Sequence, residues 1–161
     1  DKFDIQPLRD TDQTWLPDFF VTQWGSTRQV VRGTIFIPHE LSGFVATVDS
    51  DVVGVVTYRF LDETTGEVAT LNSLCEGVGV GGALIHSVIA AMRAHGRRRL
   101  VVVTTNDNLH ALRFYQKRGF VLAELRTNAL AAARQIKPEI PLFGNDNIPL
   151  RDEIELALNL V

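Results

Sequence analysis

Between residues 67 and 120 the chain gathers the residues best suited to bind an anion and move a proton. Four glycines fall within six residues in Glu76-Gly77-Val78-Gly79-Val80-Gly81-Gly82, and Ala83-Leu84-Ile85 opens an apolar helical run directly behind them. A helix N-terminus presents N–H groups without intrahelical partners and a partial positive charge, so lining it with glycine makes a phosphate cradle. Gly77, Gly79 and Gly82 also satisfy G-x-G-x-x-G, the spacing that holds dinucleotide pyrophosphate, and Asp107, 25 residues past Gly82, could serve the ribose. A third reading gives the glycines only a packing role, and a P-loop is excluded because no Lys-Ser/Thr pair follows them. Downstream, Asn108 and Tyr115 stand seven residues apart on a predicted helix. Seven residues turn about 700°, so the amide and the phenol point nearly the same way, about 10 Å apart. Singly, Asn108 reads as an N-cap and Tyr115 as a core aromatic. Together, they would line one side of a groove that ends at the glycines.

These residues need a scaffold, and the hydrophobic pattern supplies one. Phe3 to Leu8 alternates as a first strand, and Asp10-Thr11-Asp12 is placed to cap a helix carrying Trp15, Leu16, Phe19 and Phe20. Residues 25 to 42 predict a short helix and a loop. Phe44–Val48 and Val52–Phe60 read as a hairpin turned at Asp49-Ser50-Asp51, and a turn at Asp62–Gly66 leads into a third strand, Glu67 to Leu74. Leu84, Ile85, Val88, Ile89 and Met92 then form one face of a helix that stops at Gly96. Leu100–Val103 has the continuous apolar character of a strand buried on both faces. A helix from Leu109 to Arg118, a strand from Phe120 to Leu125 and a helix from Ala129 to Lys137 follow. The loop Pro138–Pro149 precedes a half-buried last strand, in which Ile154, Leu156 and Leu158 alternate with Glu153, Glu155 and Asn159. The expected fold is α/β (α+β): a mixed, mostly antiparallel sheet of six to seven strands, with a central parallel β-α-β step and flanking helices.

Size and composition bound the function. A chain of 161 residues with 45% hydrophobic and 22% charged residues suits one globular domain, 1–161, rather than a disordered segment. A net charge of −3 argues against broad nucleic-acid binding, so an anionic cofactor must be held by local donors and a few bases. The single cysteine, Cys75, excludes an intrachain disulfide framework and a cysteine-rich zinc site, and no metal is expected. No apolar run reaches the ~18–20 residues of a membrane span, and no signal-like start is present although the chain begins at Asp1. A cytoplasmic protein is the expectation, acting as monomer or homodimer.

The segment Asn108-Leu109-His110-Ala111-Leu112-Arg113-Phe114-Tyr115-Gln116-Lys117-Arg118-Gly119-Phe120 reads N-x-x-A-x-x-F-Y-x-x-x-G-F. With the glycine loop one crossover earlier, the chain resembles the GNAT superfamily of acetyl-CoA-dependent N-acetyltransferases. That family's [QR]-x-x-G-x-[GA] pyrophosphate loop matches Glu76 to Gly81, except that Glu76 stands where Gln or Arg is favoured. The proline-containing approach to the loop that many members carry is also absent from Leu71 to Cys75.

The resemblance implies transfer of an acetyl group from acetyl-CoA to a primary amine by direct attack. Tyr115 would donate to the departing sulfur and Glu67 would act as general base, with His39, Glu40 and Asp51 as lesser candidates. Asn108 would bond the pantetheine arm, and main-chain groups of Ser73, Leu74 and Cys75 would align it and polarise the thioester. The amides of Gly77, Val78, Gly79, Val80, Gly81 and Gly82 would hold the pyrophosphate. Arg97, Arg98 and Arg99 are candidates for the outer phosphate. His86, His95 and His110 read as structural or exposed, and Cys75 has no obvious neighbouring base to make it a nucleophile. The acceptor, a small-molecule or peptide amine, would be shaped by residues 24–41 and 138–149 with aromatics such as Trp24 and Tyr58. An acyl-CoA-binding sensor without catalysis and an NAD(P)-binding oxidoreductase are the alternatives.

Overall fold

The computed structural model describes residues 3–75 and 77–161. Its main sheet has seven strands: β1 (Asp4–Pro7), β4 (Ser42–Val48), β5 (Asp51–Phe60), β6 (Thr65–Ser73), β7 (Arg99–Thr105), β8 (Val121–Arg126) and β9 (Glu153–Asn159). Their order is β1-β4-β5-β6-β7-β9-β8, and every neighbouring pair is antiparallel except β6–β7. This is the mixed sheet that the sequence predicts, and the parallel step sits at its centre.

Helix α2 (Val80–Ala94) makes the crossover, burying Val80, Leu84, Ile85, Val88 and Met92 against β4, β5 and β6. Alternation along β5 sends Val56 into that core and Val55 to the other face, where Leu16 and Phe20 of α1 (Leu16–Trp24) cover it. The start of α2 is seated on Gly54. A Cβ there would lie 2.7 Å from Val80 Cγ1 and 3.0 Å from the Asn72 carbonyl, which is backbone and cannot turn aside. Gly54→Ala is therefore expected to destabilise the protein by about 1–3 kcal/mol, read as a lower urea midpoint at unchanged m-value.

The parallel pair is short. Hydrogen-bonded register runs only from Thr65↔Arg99 to Val68↔Val102. Beyond it β6 stays with β5 as far as Ser73↔Gly54, whereas β7 stays with β9 as far as Thr105↔Glu153. A bulge marks the parting: Thr70 and Val68 pair with the consecutive residues Thr57 and Tyr58, which leaves Ala69 extra. Such a residue bends its strand, and here the bend opens a cleft through the middle of the sheet.

Three sequence expectations change. Residues 25 to 42 form a hairpin, β2 (Gln29–Val31) and β3 (Thr34–Phe36), followed by a 3-10 turn at Pro38–Glu40, instead of a short helix and loop. Arg32 and Gly33 both have positive φ, as a two-residue primed turn requires. Asp12 caps a 3-10 turn and accepts from Trp15 Nε1, while α1 itself begins at Leu16. In β9 the polar face is not solvated at Glu153 and Glu155, which are buried because Arg32 and Arg126 lie over them, whereas Asn159 is exposed.

Candidate active site

The glycine loop closes one end of the cleft. Gly77 and Gly79 have φ of +78° and +84°, a backbone region that favours glycine. Gly79 is the N-cap of α2, and the first intrahelical bond runs from Ala83 N–H to the Gly79 carbonyl at 3.0 Å. The N–H groups of Gly79, Val80, Gly81 and Gly82 thus have no partner within the helix. A cavity of ≈ 290 Å³ lies over them, lined by Ser73, Cys75, Gly77, Gly79 and Val80 to Gly82. Leu74 and Val78 do not line it; Leu74 N–H is spent on the Val53 carbonyl at 2.8 Å, and the Val78 side chain is exposed. Glu76, whose orientation the sequence raises as a question, lies outside the described residues.

The same cavity holds a cation that the sequence reading does not single out. Arg118 borders it, with Cζ stacked 3.7 Å from the centroid of Phe114, and a Cβ on Gly82 would come within 3.0 Å of its Nη2. Its signal is legible afterwards: it is the residue before Gly119-Phe120, one turn past Tyr115. Arg97, Arg98 and Arg99 instead occupy the other end of the sheet. Arg98 and Arg99 N–H groups donate to the Thr64 carbonyl, and Arg97 stacks on Phe60. That places them about the length of α2, roughly 22 Å, from the loop.

The groove continues into a second cavity of ≈ 220 Å³, walled by Leu71 to Ser73 on β6 and by Asn108, His110, Phe114 and Tyr115 on α3 (Leu109–Lys117). Since Leu74 N–H points to β5, antiparallel alternation turns the main-chain groups of Ser73 and Leu71 into the opening. Asn108 is the N-cap of α3, its Oδ1 accepting from Ala111 N–H at 3.0 Å, which leaves the amide –NH₂ as its donor. Tyr115 is 5% exposed and held edge-on between Phe114 and Phe120. Burial pushes its phenol well above the ordinary value, against a smaller downward pull from Arg118. Asn108 and Tyr115 are therefore brought together, and each also has its structural role. His110, expected to be structural or exposed, borders both cavities.

On the opposite face of the sheet a third cavity of ≈ 170 Å³ lies beneath the β2–β3 hairpin and α4 (Ala129–Ile136). Its walls are mixed: Trp24, Val30, Val31, Phe36, Val103 and Leu130 are apolar, Thr70, Thr104 and Thr105 are polar, and Asn108 lines it as well as the groove across the sheet. Trp24 Nε1 donates to Asn72 Oδ1 at 3.1 Å, tying the two sides at the cleft. Glu153 is the one carboxylate among the described lining residues; it is 3% exposed and accepts from Arg126 Nε at 2.9 Å and from Arg32 N–H at 3.3 Å. Gln29 Nε2 is buried there without a hydrogen-bond partner among the described residues. Tyr58, expected near the acceptor, belongs instead to an aromatic string with Phe44, Phe60 and His95 beside α2.

Glu67 lines none of these cavities. It is 1% exposed, with one oxygen accepting from Arg59 Nε at 2.6 Å and the other from Arg32 Nη1. His39 and Glu40 border a separate surface hollow with Gln13, and Asp51 is the exposed first residue of β5, just after the β4–β5 turn. Asp107, the ribose candidate, is fully engaged: it accepts from Thr105 Oγ1 at 2.5 Å and from Asn145 N–H at 2.8 Å, anchoring the 138–149 segment. Among the described residues no group of three His, Cys, Asp or Glu could hold a metal, and no helix is long and apolar enough to cross a membrane.

The sequence model described as the acetyltransferase (GNAT) family matches residues 8–120. The chain is 42% identical to the uncharacterized protein YxbD of Bacillus subtilis over 88% of its own length and 89% of that protein's. It is 38% identical to YdhI of the same organism, also uncharacterized, over 93% and 94%. Among solved structures, a GNAT family acetyltransferase from Elizabethkingia anophelis with acetyl-CoA bound superposes with a TM-score of 0.71 at 20% identity, covering 99% of each chain. A Bacillus subtilis acetyltransferase in complex with CoA gives 0.71 at 18% identity, covering 99% of this chain and 100% of that one. At such identities these superpositions speak for the fold.

Proposed function

Because the chain belongs to the GNAT acetyltransferase family, we propose that it moves the acetyl group of acetyl-CoA to a primary amine by direct attack, as one unit spanning residues 1–161. The observation that supports this most is the meeting of two cavities at Asn108, one on each face of a sheet split between β6 and β7. A cofactor arm entering along the glycine loop and an amine entering under the hairpin would reach each other only there. The N–H groups of Gly79 to Gly82, at the start of the helix, and the Arg118 guanidinium take the pyrophosphate. Ser73 and Leu71 main-chain groups pair with the pantetheine arm as an added strand would, and the Asn108 amide donates to it. Dinucleotide binding is disfavoured because Asp107 is occupied.

The acceptor ammonium first loses a proton; a lysine-like amine lies about 3.4 units, or roughly 4.6 kcal/mol, from its neutral form at pH 7. The neutral nitrogen attacks the thioester carbon, the carbon–sulfur bond breaks, and the electron pair leaves on sulfur. The nitrogen gives up its second proton as the sulfur gains one, so the products are the N-acetyl compound and free thiol. Tyr115 donates to the departing sulfur. We assign the proton path from the amine to Glu153, which borders the acceptor cavity. Glu67, bound by two guanidinium groups, acts as a positioning residue in this reading.

Acetyl-CoA at 100 times its dissociation constant is expected to add about 2.7 kcal/mol, raising Tm by roughly 5–11 °C, with no shift from NAD. Arg118→Ala should weaken acetyl-CoA binding about 10-fold, the loss of one charge-assisted contact. A shift from NAD and none from acetyl-CoA would sink the assignment. Release of free thiol with an amine present separates the enzyme from a sensor that binds without turnover.

A further inference from the structure

The cavity under the hairpin carries information about what it accepts, given that the site is an acetyltransferase site. Its ≈ 170 Å³ is small; an apolar cavity of about 150 Å³ takes a benzene-sized guest, and drug-sized ligands fill about 300–1,000 Å³. One compact side chain fills it, and most of an aminoglycoside would lie outside. The part of the wall made by Trp24, Val30, Val31, Phe36, Val103 and Leu130 suits a compact apolar group, while Thr70, Thr104 and Thr105 make the rest polar.

Charge narrows the class further. Glu153, the one carboxylate among the described lining residues, is already engaged by Arg126 and by the Arg32 N–H. A polyamine would bring two or more cations to a wall with no free anion to meet them. The cost of reaching the neutral nucleophile falls with the amine's own basicity, which favours an amine that keeps about a tenth or more of itself neutral near pH 7. An α-amino group, with an ordinary pKa of about 7.7–8.0, meets that condition and a lysine side chain does not. Among the described residues the lining donor left unmet is Gln29 Nε2; the unpartnered Nη2 of Arg126 belongs to the group that holds Glu153 and does not line the cavity. A neutral carbonyl oxygen would satisfy the Gln29 donor, whereas a free carboxylate would add a second anion to a cavity already lined by Glu153.

We infer that the acceptor is an α-amino group on a compact apolar residue whose own carbonyl is an amide, received by the Gln29 side chain in the cavity under the β2–β3 hairpin. Such a group occurs in a small amino-acid amide and at the N-terminus of a peptide.

Acceptor turnover by the full chain, followed as thiol release from acetyl-CoA, tests this. The panel is leucinamide, a Leu-Gly-Gly tripeptide, leucine, 3-methylbutylamine, spermidine and kanamycin. Leucinamide, the tripeptide or both are expected to exceed 3-methylbutylamine, which lacks the carboxamide, by about 10-fold or more in kcat/KM expressed on the neutral amine. Leucine, spermidine and kanamycin should fall below them. Preference for the tripeptide alone assigns a peptide terminus; preference for leucinamide alone assigns a small molecule. Gln29→Met, close in shape but without the donor, should bring the gap between leucinamide and 3-methylbutylamine to within about threefold, while the acetyl-CoA thermal shift stays. Gln29→Leu serves if that variant does not fold, and the wild-type panel decides if neither does. Spermidine or kanamycin as best acceptor, an unchanged gap in the variants, or acetyl-CoA binding with no acceptor turned over would overturn the inference. Absence of the acetyl-CoA shift in the wild-type protein would instead refute the acetyltransferase reading itself.

Discussion

Tyr115→Phe is expected to lower kcat about 100-fold and to leave KM for acetyl-CoA within about twofold. The phenol sits in the wall of the groove, pinned between Phe114 and Phe120, and Phe preserves both ring contacts. Stability should therefore stay within about 1 kcal/mol of the wild type, since only the hydroxyl is removed. Because burial raises the phenol's pKa, it holds its proton throughout the neutral and mildly alkaline range. It can then offer a hydrogen bond to sulfur at any working pH and contributes no alkaline limb to the rate profile. The thioester sulfur is a poor acceptor and the departing thiolate a strong one, so that bond strengthens as the carbon–sulfur bond breaks. An interaction made chiefly in the transition state appears in kcat and in kcat/KM, and a factor of 100 corresponds to about 2.7 kcal/mol. A donor with a raised pKa is also a weak acid, so its help matters most when the leaving group is basic. Thioesters of more acidic thiols should lose less than 100-fold in the variant. An unchanged kcat under conditions where chemistry is rate-limiting would remove Tyr115 from the reaction.

The glycine loop and the Asn108–Tyr115 helix were legible because their chemistry is local. A glycine run before an apolar helix, and two polar groups seven residues apart, have the same meaning in any tertiary setting. The central parallel step was equally plain, since Leu100–Val103 lacks the alternation of a half-exposed strand. The hairpin at residues 29–36 was not legible, and Arg32 shows why. Its primed turn favours Asn or Asp before glycine, and arginine there carries no turn signal. Arginine occupies the position because its guanidinium and N–H reach Glu67, Glu153 and Glu155, residues 35 to 123 positions away. For the same reason Glu153 and Glu155 imitate a solvated face: alternation records polarity, and buried ion pairs have the same pattern as exposed charges. Arg118 was hidden among the charges at the end of its helix. Only the fold shows that this turn of α3 lies over Gly82.

Glu67 separates a proton acceptor from a structural anion, and its replacement has the largest expected effect on stability. Glu67→Ala leaves the Arg32 and Arg59 guanidinium groups beside a buried void, each without its partner on β6. Breaking such a pair from one side costs about 3–5 kcal/mol, or roughly 6–20 °C in Tm for a chain of this size. Glu67→Gln keeps the shape and an acceptor oxygen, so it should lose less. Arg32 stands at the tip of the hairpin whose Gln29, Val30, Val31 and Phe36 wall the acceptor cavity. Loosening it should raise KM for the acceptor several-fold while acetyl-CoA affinity, set on the other face of the sheet, stays unchanged. A general base would give the opposite signature: a fall in kcat with the low-pH limb abolished and stability intact. The clamp should also weaken in acid. Burial alone would raise the Glu155 pKa, but the hydrogen bonds and charges of Arg32 and Arg126 outweigh it and hold it below the ordinary value. A carboxylate depressed in the folded state stabilises above its unfolded pKa of about 4.3 and loses that contribution as pH falls through the lower folded value. Acceptor KM should accordingly begin to rise only below about pH 4.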